Sequence, residues 1–167
     1  MHLIKQNHKM KKIIYLILLI VCFGCSKDDN DSGSGETFLK KFDNVGFVED
    51  GEQNPSYFYF YDSNVFIKNA AYDEDFGEYE CSEITDGATT LEIFTISYSM
   101  VTKITTNNST TLKCEVTATA LGISDTTTFE FTVNSSGDTL IVLEENSGEK
   151  DTYTYSKTDI PYSQICY

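Results

Sequence analysis

Cysteines stand at positions 22, 25, 81, 114 and 166 of this 167-residue sequence, and they are its most reactive side chains. A thiol can take a lipid, close a disulfide or act as a nucleophile, and its neighbours decide which. Nucleophilic use needs a base or a cation to hold the thiolate. The two histidines, His2 and His8, precede every cysteine, and the chain has no arginine. Cys25 follows an apolar run over residues 13–23 that is headed by Lys11 and Lys12, and it precedes the polar stretch "SKDDNDSGSG". A basic start followed by a short apolar run is the form of a secretory signal. A membrane-spanning helix would need about 20 apolar residues.

Residues 10–21, "MKKIIYLILLIV", already have that form without the nine residues before them, so Met10 is the expected first residue. The segment "CFGC" places the small Gly24 directly before Cys25, whereas Cys22 is preceded by the bulky Val21. The signal peptide is therefore expected to span residues 1–24, with Cys25 carrying a covalent lipid as the only added group. The tract "CSKDDND" resembles the export signal of surface lipoproteins in Bacteroidetes-type bacteria. That resemblance implies an export signal at Ser26, Lys27, Asp28 and Asp29. It also implies a lipid-anchored place in the outer membrane, facing the cell exterior. The alternative reading of Asp28, Asp29 and Asp31 is a solvated spacer.

Cleavage before Cys25 would remove four of the twelve lysines, both histidines and no acid. Eight lysines then face 26 acidic residues, a net charge of −18. Such a surface repels nucleic acid and anionic lipid headgroups. It also lacks the commonest general base and metal ligand.

Residues 25–35 read as the lipidated cysteine and a flexible tether, whose ten residues after Cys25 give a root-mean-square reach of about 17 Å. Residues 36–167 suffice for one domain with one core. Nearly all of it alternates with period two. In "TLKCEVTATAL", Leu112, Cys114, Val116, Ala118 and Ala120 share one face, and Lys113, Glu115, Thr117 and Thr119 the other. "TTFEFTV" repeats the pattern, with "GISD" read as the turn between the two strands. The stretch 89–98, "TTLEIFTISY", reads as one strand and 100–106 as the next. Short turns between eight to ten strands predict an all-β, single antiparallel meander barrel, with a β-sandwich as the alternative. The segments "FLKKFDNVGF", "YECSE" and "SKTDIPYSQIC" resemble those of lipocalin-like lipoproteins from the same bacteria, with Phe47 where that pattern has Trp. The resemblance implies a lipocalin-like barrel.

Among the cysteines of the domain, Cys114 lies on the apolar face of its strand, where a free thiol behaves as a small hydrophobe. Cys81 sits among polar residues and Cys166 in the tail, so the expected disulfide joins Cys81 to Cys166. In "YFYFY", Phe58 and Phe60 alternate with Tyr57, Tyr59 and Tyr61. Phe is expected in the core, and the Tyr face is either a polar rim or a contact platform for a sugar or apolar ligand. Asp73, Asp75 and Glu78 could offer oxygen to Ca²⁺, but their spacing fits no Ca²⁺ loop, and no metal site is expected. Paired carboxylates without Trp argue against a glycosidase cleft. These readings converge on a non-catalytic surface module, expected to be monomeric, that binds a small apolar or glycan ligand or a protein. The alternative is a structural lipoprotein whose barrel is filled by its own side chains.

Overall fold

The computed structural model describes residues 36–93 and 96–166. The signal peptide, Cys25 and the export residues Ser26, Lys27, Asp28 and Asp29 lie outside them. The described chain opens with one helical turn, α1 (Phe38–Lys41), started by Thr37, whose hydroxyl accepts from the Lys40 amide at 3.4 Å. Ten strands follow: β1 (Val45–Glu49), β2 (Tyr57–Phe60), β3 (Val65–Asp73), β4 (Glu78–Thr85), β5 (Gly87–Ile93), β6 (Ile96–Asn107), β7 (Thr111–Ala120), β8 (Ile123–Val133), β9 (Thr139–Asn146) and β10 (Glu149–Thr158). A second helical turn, α2 (Tyr162–Ile165), ends them.

All ten strands form one antiparallel sheet in the order β4-β3-β2-β1-β10-β9-β8-β7-β6-β5. Pairing of β1 with β10 brings the two ends of the meander together, and the sheet curls into a nearly closed barrel. The remaining seam lies between β4 and β5, which pair with β3 and β6 and not with each other. Only Asp86 separates them in the chain, so the seam is pinned at that end. The sandwich alternative, which requires two sheets, is not formed.

Two boundaries depart from the pattern. Residues 89–98 are not one strand: β5 ends at Ile93 and β6 begins at Ile96, and these two residues pair with each other. No Gly, Asn, Asp or Pro stands between them in the sequence. The stretch "GISD" is not a four-residue turn either, because β8 already starts at Ile123. The chain reverses over Leu121 and Gly122 alone, at φ +54° and +78°, as a two-residue hairpin turn requires.

Alternation places two clusters on the two faces of the wall. Inside, Phe47, Phe60, Phe66, Leu112, Cys114, Phe131 and Leu140 are fully buried. The α1 turn adds Phe38 and Leu39 to this cluster and closes the lower end of the barrel, from which β1 rises. Phe58 and Phe60 both face inward, as the alternation predicts. Outside, Tyr57, Tyr59 and Ala70 are buried by Tyr162, Ile165 and Cys166.

Candidate functional site

Two places gather polar chemistry: the upper half of the barrel interior and the tyrosine face beneath α2. The interior follows from strand register, since residues directly opposite in a sheet share a face. Tyr155 belongs to the inner core and stands opposite Glu49, so Glu49 points inward. Phe129 stands opposite Glu144, and Glu144 opposite Asp151. Ala71, on the inner wall, stands opposite Glu80, and Asp73 lies two residues further along the same face. Asp125 lies two residues before the buried Thr127, and Asn146 bridges them, donating to Asp125 Oδ2 at 3.1 Å and Thr127 Oγ1 at 2.8 Å. Glu49, Asp73, Glu80, Asp125, Glu144 and Asp151 thus line the upper wall, each contributed by a different strand.

Their electrostatics agree with this placement. The Tyr153 phenol is pushed up to about 12, chiefly by burial and then by the charges of Glu144, Asp151 and Glu49. Burial also raises the Glu80 carboxyl, and Asp73 raises it further by charge and hydrogen bonding. Described lysines lie elsewhere. Lys68, Lys113 and Lys150 pair with Glu83, Glu130 and Glu145 at 2.6, 3.7 and 3.1 Å. Register puts these pairs on the outer face, and Lys103 stands with Glu115 on that same face. Lys40, Lys41 and Lys157 sit at the lower end.

Below the carboxylates, a cavity of about 60 Å³ lies between Phe58, Phe129, Phe131 and Tyr155, with Asn69 and Ser82 in its wall. Ser82 is 8% exposed, and it lies in the wall of this cavity. The Asn69 amide donates to the Tyr57 carbonyl at 3.1 Å, leaving its own carbonyl oxygen for the cavity side.

On the outer face, Cys81 is bonded to Cys166 with Cα atoms 6.0 Å apart. Cys114 is free and fully buried, its thiol pushed up to about 12 chiefly by burial. A buried neutral thiol of this kind is a poor nucleophile. The tail that the disulfide ties down lies on the tyrosine face. The Tyr59 hydroxyl donates to the Ile160 carbonyl at 2.7 Å, and its ring meets Tyr162 edge-on at 5.5 Å. Tyr57 is equally covered and packs against Tyr79. Tyr61 remains half-exposed, with the Lys68 ammonium 5.7 Å from its ring centre. A recess of about 310 Å³ persists beside them, between Gly46, Tyr59 and residues 157–162.

The structure thus brings Tyr57, Tyr59, Cys81 and Cys166 together at the tail. It separates them from the inward carboxylates, whose placement the sequence reading missed. The signal was available in "EYECSEI": if Cys81 faces the tail outside, then Glu80 and Ser82 must face in.

No family model matches the sequence, and neither does any curated protein. Among solved structures, the chain is similar to secretory abundant heat soluble protein 4 from Ramazzottius varieornatus. The TM-score is 0.41 and the identity 11%, over 64% of this chain and 71% of that one. The strand order described above, not this likeness, establishes the barrel.

Proposed function

We propose that the protein is a lipid-anchored, non-catalytic binding module of the outer membrane, facing the cell exterior, with its ligand site in the upper half of the barrel. The observation that carries the binding reading is the division of the interior. Phenyl rings and α1 close the lower half, whereas the upper half turns polar around a cavity that Asn69 and Ser82 help to line. A barrel required only to stand would gain by filling that space with apolar side chains. Anchoring rests on Cys25 and the tract behind it. The fold fits such a tether, because Glu36 leads directly into α1 at the closed end and leaves the carboxylate end pointing away.

Two measurements test this reading. Replacing Cys25 by Ser should move the protein from the detergent phase to the aqueous phase. Full retention in the detergent phase would remove the anchor. Mass spectrometry of small molecules released by denaturing the envelope-purified protein should find a compound that is lost when Ala71→Phe fills the cavity.

The small size of the cavity favours a second reading, a filled barrel acting as a structural module. Release of identical compounds from the wild type and the Ala71→Phe variant would select it.

A further inference from the structure

The recess beside the tail is larger than the barrel cavity and separate from it. It holds about 310 Å³, at the small end of small-molecule sites, against about 60 Å³ inside the barrel. Register places it on the outer wall: Gly46 is paired with both Tyr59 and Thr158, and Tyr59 belongs to the outer cluster.

Contacts within the chain fix its walls before any ligand arrives. The Tyr59 hydroxyl donates to the Ile160 carbonyl at 2.7 Å, and the Ile160 amide donates to Thr158 Oγ1 at 3.2 Å, so this turn of the tail is held from two sides. Tyr162 meets Tyr59 at an interplanar angle of 73°, and the disulfide at Cys166 ties down the residues behind it. Walls already in place lower the ordering cost of binding.

The lining decides the class of ligand. Tyr59 forms the floor, Tyr162, Ile160 and Pro161 supply an apolar wall, and Asn44 and Asp159 are exposed polar residues at the rim. An anion would meet the Asp159 carboxylate in a chain that carries 26 acids. A cation would lean on the Tyr162 ring, where the Lys68 ammonium already stands 5.1 Å from the centre. A wholly apolar compound would take the Asn44 amide and the Asp159 carboxylate out of water without replacing their hydrogen bonds. A neutral compound with an apolar face and a hydroxyl-bearing edge meets none of these objections. Each hydroxyl both donates and accepts, which suits a carboxylate that only accepts and an amide that does both.

We infer that this recess is a saccharide site, in which a pyranose ring lays its C–H face against Pro161 and Tyr162 and turns its hydroxyls to Asn44 and Asp159. It is a second site, and it stands whether or not the barrel interior takes a ligand.

The experiment is amide-shift NMR on the isotope-labelled full chain in a sugar-free detergent, titrated with maltose, cellobiose and N,N′-diacetylchitobiose. At least one sugar should shift the Gly46 and Ile160 amides saturably, with equal affinity at about 0.05 M and about 0.5 M salt because the ligand is uncharged. Asn44→Gly combined with Asp159→Ala should weaken it at least about tenfold, the scale of two lost hydrogen bonds. Glycine suits residue 44, whose φ is +59°. Ala71→Phe, which fills the barrel cavity, should leave the affinity unchanged. Circular dichroism checks that each variant is folded, and Asn44→Gly alone serves if the pair is not.

No shift with any of the three sugars up to about 20 mM, beyond the weak end of specific binding, would overturn the inference. Tighter binding of choline or glucose 6-phosphate at the same amides would overturn it as well, by showing a charged ligand. Shifts confined to Ser82 and Phe131 and lost in Ala71→Phe would remove the recess and support the barrel site instead.

Discussion

The Tyr59 ring lies across Gly46 of the adjacent strand, in the space that a Cβ on residue 46 would occupy. The two residues are directly paired between β1 and β2, and the missing side chain lets the ring lie flat on the wall. From there its hydroxyl reaches the Ile160 carbonyl, and its edge meets Tyr162. One glycine therefore sets the height at which the tail can dock.

Gly46→Ala should destabilise the domain by about 1 to 3 kcal/mol, the usual cost of overpacking a filled site. Residue 46 does not have a positive φ, so backbone strain adds nothing. Urea unfolding of both proteins checks the value. A change within about 0.5 kcal/mol, the range of ordinary surface substitutions, would show that Tyr59 can move aside at little cost.

The disulfide should be the largest single covalent contribution to stability. Cys81 and Cys166 are 85 residues apart, a loop that constrains the unfolded chain by roughly 4 to 5 kcal/mol on the chain-entropy model. Cys166→Ser is expected to lower the unfolding free energy by about 2 to 5 kcal/mol. Reductant should do the same to the wild type and nothing more to the variant. Peptide mapping without reductant should find the Cys81–Cys166 linkage and Cys114 as a free thiol.

The barrel and this disulfide were legible for one reason: period-two alternation assigns every strand residue to a face. Leu112, Cys114 and Val116 fall inside together, which frees Cys81 for the tail. The hairpin between Ile93 and Ile96 was hidden because turn chemistry is normally read from Gly, Asn, Asp or Pro, and none is there. Leu121 concealed its turn likewise, since an apolar residue at positive φ is rarely expected. The tyrosine face was read as a face, but its covering by α2 rests on contacts more than 100 residues apart, such as Tyr59 with Ile160. Spacing along the sequence does not carry that information. The inward acids were visible in the alternation and were passed over because an acid cluster reads first as solubility.

Lys68 should hold α2 in place through its charge. Its ammonium is 2.6 Å from Glu83 and 5.1 Å from the centre of the Tyr162 ring. Lys68→Met keeps most of the hydrocarbon stem and removes the charge. The expected loss is about 1 kcal/mol, the scale of a partly exposed cation over an aromatic ring. Amide exchange should be faster at Gln164 and Cys166, whose amides bond within α2, and unchanged in β7 and β8. Uniform acceleration across the domain would mean that Lys68 supports the barrel rather than the tail.

Cys114 predicts the alkaline limb of the stability curve. Burial holds its thiol neutral up to about 12 in the folded state, whereas in the unfolded chain it ionises near about 8.5. Between those values the folded state binds the extra proton, so stability is fully present below pH 8.5 and falls as pH rises. The slope approaches about 1.4 kcal/mol per pH unit, which accumulates to roughly 2 kcal/mol by pH 10. The phenols of Tyr59, Tyr153 and Tyr162, each raised to about 12, add losses of the same sign that set in as pH approaches their unfolded value of about 10. The window from 8.5 to about 9.5 therefore reports mainly the thiol. Cys114→Ala will be less stable at every pH, because it leaves a cavity among Leu112, Phe129 and Phe131. Its unfolding free energy should nevertheless be flat across that window while the wild type declines. If the two curves fall in parallel, another group titrates there and Cys114 is not the source of the decline.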